Sequence, residues 1–219
     1  MGFVLIFLLI YFLVRLIGIY IKDLGRFFNK FAKRSLTWSQ SKQMKTMLIE
    51  LEALGFYKHT NHQLVDELKE KSIKTGYLFW DETERIYMSD AEDLAEGFID
   101  ELLNEIEPFL MKEGVTIESY EQTHTGDTYA IVVNHRKFSI WNDEIDKDLD
   151  PWELATNRTF AIVNLFLREA GSNERIYSLY GGNDLFALFL TEEMYEVINK
   201  SRLIKESEKP LRYGESFAT

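Results

Sequence analysis

An apolar run near the start of the chain divides the sequence into two parts. Every residue from Phe3 to Val14 is apolar or aromatic, and after Arg15 the run continues to Ile21. About 20 apolar residues are enough to span the hydrocarbon core of a bilayer as a helix. No basic residue precedes the run and bulky residues follow it, which argues against a cleaved secretory signal. The pattern predicts one transmembrane helix followed by a globular domain.

The charges that follow this run predict its orientation. Residues 1–34 hold six basic residues and one acidic residue, and none of them precedes position 15. Because basic flanks stay on the cytoplasmic side, we expect a single pass through the inner (cytoplasmic) membrane, with the N-terminus outside and residues 35–219 in the cytoplasm. Residues 25–34 interleave aromatic and basic side chains, which is typical of a collar in the lipid headgroup layer. Residues 1–34 are therefore predicted to be a membrane anchor that contacts lipids through residues 3–34; the alternative is a buried helix, for which Arg15 is the argument.

The rest of the chain is strongly acidic. Subtracting the six basic residues and one acidic residue of the anchor from the totals of 25 and 36 leaves 19 basic and 35 acidic residues, a net charge of −16. This charge repels nucleic acid phosphates and favours a basic protein partner, although solubility alone is an equally good reading. Cysteine is absent, which excludes disulfides, thiolate metal ligands and cysteine nucleophiles.

Capping signals and helical spacing predict several helices. Thr37 and Gln40 have the spacing of a capping box before a helix that ends at Gly55, and a shorter surface helix is expected over residues 63–74. A capping box at residues 89–92 opens an amphipathic helix that Pro108 is expected to end or kink. Asp150 and Pro151 open a further helix over residues 152–170, which is apolar on almost every side and is expected at the centre of the core. Thr191 caps a last helix of about nine residues.

Short runs of β-forming residues separated by turn residues predict antiparallel strands. They form a hairpin, a three-stranded meander and a C-terminal hairpin, over residues 77–80 with 85–88, residues 115–122, 128–134 and 137–141, and residues 175–180 with 185–190. Helices and strands are grouped rather than alternating, so the fold class is α+β with an antiparallel sheet. The predicted organisation is an anchor over residues 1–34, an acidic α+β domain over residues 35–200 and a polar flexible tail over residues 201–219.

No linear motif in the chain predicts a catalytic, cofactor-binding or metal site. His59 and His62 have a spacing that can share a metal on a helical turn, but no carboxylate accompanies them. The acidic run from Asp146 lacks the Gly and Glu that a calcium loop requires at its sixth and twelfth positions. Residues 181–184 read as a turn rather than as a phosphate-binding loop. There is no nucleophile elbow, Walker motif or dinucleotide fingerprint.

Acidic side chains are the predicted partner-binding residues. They belong to the helix after Ser89 and to the loop before Asp150, and they are Asp93, Glu96, Asp100, Asp143, Glu144, Asp146 and Asp148. The aromatic residues of the C-terminal hairpin alternate as a two-sided hairpin should, and they are Tyr177, Tyr180, Phe186 and Phe189. A tyrosine exposed on one face would make a good interface anchor.

A stretch of about a fifth of the chain, towards its C-terminal end, resembles the ending of small uncharacterised bacterial proteins. The residues that carry this resemblance lie between Trp152 and Ile198 and include Asn164, Ala170-Gly171-Ser172, Glu174-Arg175-Ile176-Tyr177 and the segment from Tyr180 to Phe186. In its acidic, motif-poor α+β character the chain also resembles the immunity proteins of bacterial polymorphic toxin systems. This resemblance transfers no catalytic or binding residue.

These observations together give one functional hypothesis and two alternatives. The hypothesis is a non-enzymatic, membrane-anchored binding protein of the inhibitor or immunity type, which neutralises a basic protein partner. The alternatives are a membrane-tethered adaptor or signalling protein, and a membrane-tethered enzyme without a linear motif. The oligomeric state is not predicted.

Overall fold

In a computed structural model of the protein, residues 36–213 are described, and they form an α+β fold with two antiparallel sheets of three strands each. The helices are α1 Trp38–Ala53, α2 Val65–Thr75, α3 Ala91–Glu96, α4 Ile99–Lys112, α5 Asp143–Asp146, α6 Pro151–Glu169 and α7 Glu192–Lys200. The strands are β1 Ile86–Met88, β2 Tyr120–Thr125, β3 Thr128–Val133, β4 Arg136–Asn142, β5 Glu174–Leu179 and β6 Phe186–Thr191. Within residues 36–213 no helix has the length and apolar character to cross a bilayer. The anchor predicted over residues 1–34 lies outside the described residues.

Side-chain caps start three of the helices, α1, α6 and α7, where the sequence predicts them. The Thr37 hydroxyl accepts from the Gln40 N–H, and the Gln40 side chain accepts from the Thr37 N–H, so both halves of the predicted capping box are present. Asp150 accepts from the first N–H groups of α6, and Thr191 accepts from the Met194 N–H at the start of α7. These groups have no partner within their own helix, so the caps fix where each helix begins.

The sheet formed by β1, β6 and β5, in that order, is sheet A, and it is buried on both faces. Phe186 and Leu188 on one face join a core built from α1, α2, α7 and residues 77–80. Phe189 on the other face joins a core built from α3, α4, α6 and the second sheet. Tyr177 is buried as well, so it is not exposed as an interface anchor. The hairpin itself is confirmed.

The second sheet, sheet B, is the predicted meander β2-β3-β4, and only one of its faces is covered. Tyr129, Ile131 and Val133 of β3 point into the core, whereas the odd-numbered residues of β2 are exposed. β2 begins at Tyr120 rather than at the predicted residue 115. The reason is that Val115 donates its N–H to Leu110 and so belongs to the turn that ends α4.

Helix α6 is the predicted central helix. Ten of its nineteen residues are buried, and it packs against β4 on one side and β5 on the other. Because it contacts both sheets, it joins them through one apolar core.

Two predicted elements differ in the structure. Residues 77–80 are buried without forming a strand, and β1 pairs with β6 instead, so the predicted first hairpin is wrong. The predicted helix after Ser89 begins at the Asp90 cap and is divided by Gly97 (φ +110°) into α3 and α4, because this left-handed conformation suits glycine. Pro108 does not end α4, which continues to Lys112 since Phe109 and Leu110 are held in the core.

Part of the predicted flexible tail is packed against the domain. Leu203 and Ile204 are buried in the core with α1 and α7, and Leu211 forms a two-way backbone hydrogen-bonded bridge with Ser178 of β5. Residues 201–213 therefore belong to the folded domain rather than to a tail outside it. Residues 214–219 lie outside the described residues.

Candidate partner-binding surface

The segment between β4 and α6 borders a cavity of about 620 Å³ that also touches α3 and the end of β2. We call it the aromatic groove, and its lining residues are Ala95, Glu96, His124, Trp141, Asp143, Asp146, Lys147, Leu149, Pro151, Trp152 and Leu154. Six of these eleven residues are apolar and three are acidic; we call the acidic residues at and beside the groove the acidic rim. Apolar side chains accompanied by charged ones are typical of protein-binding sites.

Two adjacent helix caps present apolar side chains to solvent beside the groove. The Asn142 side chain caps α5 and Asp150 caps α6, so the chain turns twice within nine residues. Between and just after the caps, Ile145 is 77% exposed, Leu149 is 56% exposed and Trp152 is 40% exposed. Large apolar side chains that are exposed near one another mark interaction sites more often than isolated ones do.

The floor of the groove is fixed by contacts to α3 and β2. The Trp141 indole N–H donates to the Ala95 carbonyl at 3.2 Å, which ties the end of β4 to α3. The His124 ring packs edge-on against Trp141, with 5.2 Å between the ring centroids. A rigid floor lowers the entropy that a partner loses on binding.

The predicted acidic residues fall into two groups in the structure. Glu96, Asp143, Glu144 and Asp148 are exposed at or beside the aromatic groove. Asp146 also lines it but is buried, because Arg158 donates to both of its carboxylate oxygens at 2.7 and 2.9 Å. This pairing is the main reason that the pKa of Asp146 lies below its usual value. Asp146 therefore holds the loop in place rather than facing a partner.

Asp93 and Asp100 lie away from the aromatic groove. Asp93 borders a smaller cavity of about 250 Å³ on α3 and α4, which also contains the exposed Phe98. Burial raises the pKa of Asp93, and the nearby carboxylates of Asp90 and Glu92 raise it further. Asp100 accepts a hydrogen bond from the Gln122 side chain at 2.7 Å. Helix α3 thus has an acidic, partly apolar groove on each side.

The sequence predicts the acidic residues at the groove but not its apolar lining. The signal for that lining is Leu149 and Trp152, two large apolar residues within an otherwise acidic stretch. The sequence predicts Trp141 in a strand, but its place beside α3 depends on long-range packing. No local pattern reports that contact.

A second group of polar and charged side chains surrounds the buried pair of Arg85 and Glu174. We call it the ionic cluster, and it consists of Lys58, His59, Arg85, Glu113, Ser172 and Glu174. Arg85 is fully buried, and it donates to both oxygens of Glu174 at 2.9 and 3.1 Å and to three backbone carbonyls, those of Gly55, Phe56 and Phe189. All of its guanidinium nitrogens are engaged.

The remaining members of the ionic cluster pair with its two carboxylates. The Lys58 ammonium lies 2.7 Å from Glu113 and 2.9 Å from Glu174. Burial raises the pKa of Glu113, but hydrogen bonds from Lys58, Ser172 and His59 lower it more, so the net shift is downward. Burial lowers the pKa of His59, which favours its neutral form. Each carboxylate is therefore already paired within the protein.

The spacing of His59 and His62 would allow them to share a metal, but the structure places the two side chains in different surroundings. His59 lies 2.6 Å from Glu113, whereas His62 is exposed. Among residues 36–213 no three His, Cys, Asp or Glu side chains converge in a way that would hold a metal ion. At these distances, the ionic cluster links α4, β5 and the loop after α1.

Comparison with known proteins adds no relative to this description. No protein-family model, no curated protein and no solved structure matches the chain.

Proposed function

We propose that residues 36–213 form a non-enzymatic binding domain that neutralises a basic protein partner, in the manner of an inhibitor or immunity protein. The proposal includes the membrane anchor over residues 1–34, which holds the domain at the cytoplasmic face of the inner membrane. The aromatic groove is the proposed contact surface. The observation that carries the proposal is the exposure of Ile145, Leu149 and Trp152 within an acidic rim.

The chemistry of the groove defines the partner that fits it. Apolar side chains at the centre favour an aromatic or aliphatic anchor, because burying such a group removes apolar surface from water. The acidic rim favours lysine and arginine around that anchor and steers association. Lys147 is the only lysine or arginine among the groove-lining residues. The proposed partner is therefore a basic protein that presents an apolar side chain surrounded by positive charge.

The experiment is site-specific photo-crosslinking in the cell of origin with the full chain. Benzoylphenylalanine replaces Leu149 in one version and Ile49 of α1 in the other. These side chains are 56% and 58% exposed, so the two versions present the probe to solvent equally. We expect a basic protein to crosslink at position 149 and not at position 49.

Charge reversal tests whether the acidic rim supplies the recognition. We expect the combined substitutions Asp143→Lys, Glu144→Lys and Asp148→Lys to abolish the crosslink at position 149. The matched control reverses Asp66, Glu67 and Glu70, which are exposed on α2 and give the same change in net charge. Equal crosslinking in both triple variants, or an acidic protein captured at position 149, would contradict the proposal.

A further inference from the structure

Strand β2 forms one edge of sheet B. Among the described residues it pairs only with β3, and five of its six residues are exposed. An exposed edge presents free backbone N–H and C=O groups, and natural proteins usually protect it with lysine, proline or a bulge. The sequence of β2, Tyr-Glu-Gln-Thr-His-Thr, contains no lysine or proline, and the only bulge in the sheet lies between β3 and β4.

The register shows which backbone groups point away from the sheet. Residues 126 and 127 form the turn, so Thr125 and Thr128 close the hairpin as a hydrogen-bonded pair. Ser119 accepts from the Asn134 N–H, which places the odd-numbered residues of this strand on the hydrogen-bonding side. The N–H and C=O groups of Tyr120, Gln122 and His124 therefore point outward along the free edge.

This edge leads directly to the aromatic groove. His124, the fifth residue of β2, lines the groove and packs on Trp141. Along the strand, carboxylates lie on both sides: Glu121 is exposed on the outer face, and Asp100 is bound to Gln122 on the inner face. A strand added at this edge would meet negative charge on both of its faces and an apolar pocket at one end.

We infer that β2 is the docking edge for an extended, lysine- or arginine-rich segment of the partner. The segment adds a fourth strand to sheet B and places an aromatic side chain in the aromatic groove. Main-chain hydrogen bonds to β2 supply affinity, and the groove with the flanking carboxylates supplies specificity. This inference rests on the proposed function and names the way in which the partner binds.

The test uses synthetic peptides and the full chain in a neutral detergent. The probes are Lys-Val-Lys-Val-Lys-Trp and Trp-Lys-Val-Lys-Val-Lys, which allow either strand direction. Each is compared with two N-methylated versions, in which alternate amides are blocked in one frame or in the other. Because a strand presents alternate amides to each edge, methylation in one frame blocks pairing with β2 and methylation in the other frame does not.

We expect at least tenfold weaker binding for one methylated frame and unchanged binding for the other. Hydrogen exchange should slow at the amides of Tyr120, Gln122 and His124 when the parent peptide binds. Equal binding of both frames, slowed exchange elsewhere only, or no binding by either parent peptide would each overturn the inference.

Variants of the protein supply an independent arm. Gln122→Pro removes one outward N–H without removing a hydrogen bond to β3, and Gln122→Ala loses the same side chain but keeps that N–H. We expect peptide binding to weaken at least tenfold in the proline variant relative to the alanine variant, and equal binding would overturn the inference. If the proline variant does not fold, the methylated peptides still decide with the unchanged protein. Crosslinking at position 149 tests the proposed function separately, so that strand addition can fail while the proposed function stands.

Discussion

The ionic cluster and the aromatic groove use charge in opposite ways. In the ionic cluster, Glu113 and Glu174 are buried and each is paired with Lys58, Arg85 or His59. At the aromatic groove, Glu96 and Asp143 are exposed, and Lys147 is the only lysine or arginine in the lining. Buried charges persist only when they are paired, whereas exposed charges of one sign are available to a partner. The difference indicates that the ionic cluster stabilises the fold, whereas the carboxylates at the groove remain exposed.

The largest expected effect comes from breaking the buried pair. Glu174→Gln leaves Arg85 charged and buried without its carboxylate, so we expect the free energy of unfolding to fall by about 3–5 kcal/mol. The matched control is Glu169→Gln, which removes a carboxylate from Arg136 where both side chains are about half exposed. The loss there should be about 1 kcal/mol or less. Urea denaturation measures both values, and equal losses would contradict the role assigned to burial.

Asp146 and Asp148 allow a paired, buried carboxylate to be compared with an exposed one within a single loop. Asp146→Asn weakens the two-point contact with Arg158, and hydrogen bonds to charged groups contribute about 1.5–3 kcal/mol. We expect a loss of that size, measured by thermal or urea denaturation. Asp148→Asn changes an exposed side chain, so the free energy of unfolding should stay within about 0.5 kcal/mol of its original value. If Asp148→Asn were the more damaging substitution, the assignment of Asp146 to the fold would be wrong.

The pKa shifts in the ionic cluster make the stability of the protein depend on pH. The pKa of His59 is lower in the folded protein than in the unfolded chain, so the unfolded chain takes up a proton first as the pH falls. The contribution of His59 to the free energy of unfolding is therefore fully present above about pH 6.5, the usual pKa of histidine. This contribution is lost as the pH falls below that value. The lowered pKa of Glu113 adds a further loss at more acidic pH.

The variant that checks this dependence is His59→Gln, which keeps a donor for Glu113 but does not titrate. We expect the unfolding free energy of this variant to be flatter between pH 7 and pH 5.5 than that of the unchanged protein, as measured by urea denaturation across that range. A protein that became more stable on acidification, and lost this gain in His59→Gln, would show that attraction to Glu113 outweighs the burial of His59.

Local signals in the sequence predicted a large part of the fold. Caps such as Thr37 and Asp150 act within a few residues, and the meander follows from short turns, so these elements were predictable. The ionic cluster was not, because Arg85 and Glu174 are 89 residues apart and Arg85 was assigned to a strand. The acidic rim was predictable from composition, but the pairing of Asp146 with Arg158 and the position of Trp141 beside α3 depend on tertiary packing.

The smallest expected effect compares two aspartates in the first turn of a helix. A carboxylate near a helix N-terminus is stabilised by the helix dipole, and both Asp66 of α2 and Asp93 of α3 occupy such positions. Their neighbours differ, because Asp66 lies 3.8 Å from the Lys69 ammonium while Asp93 is close to Asp90 and Glu92. The raised pKa of Asp93 means that its charge opposes folding at neutral pH, and this cost disappears as the pH falls through that pKa.

We therefore expect opposite signs from the two amide substitutions. Asp93→Asn should raise the unfolding free energy at pH 7 by a few tenths of a kcal/mol, and Asp66→Asn should lower it by a similar amount. Thermal denaturation in low salt measures both changes, and high salt should shrink them because it screens exposed charges. A decrease in both variants would mean that the helix dipole outweighs repulsion at Asp93. The carboxylates of Asp90 and Glu92 would then cost the fold less than the dipole of α3 contributes.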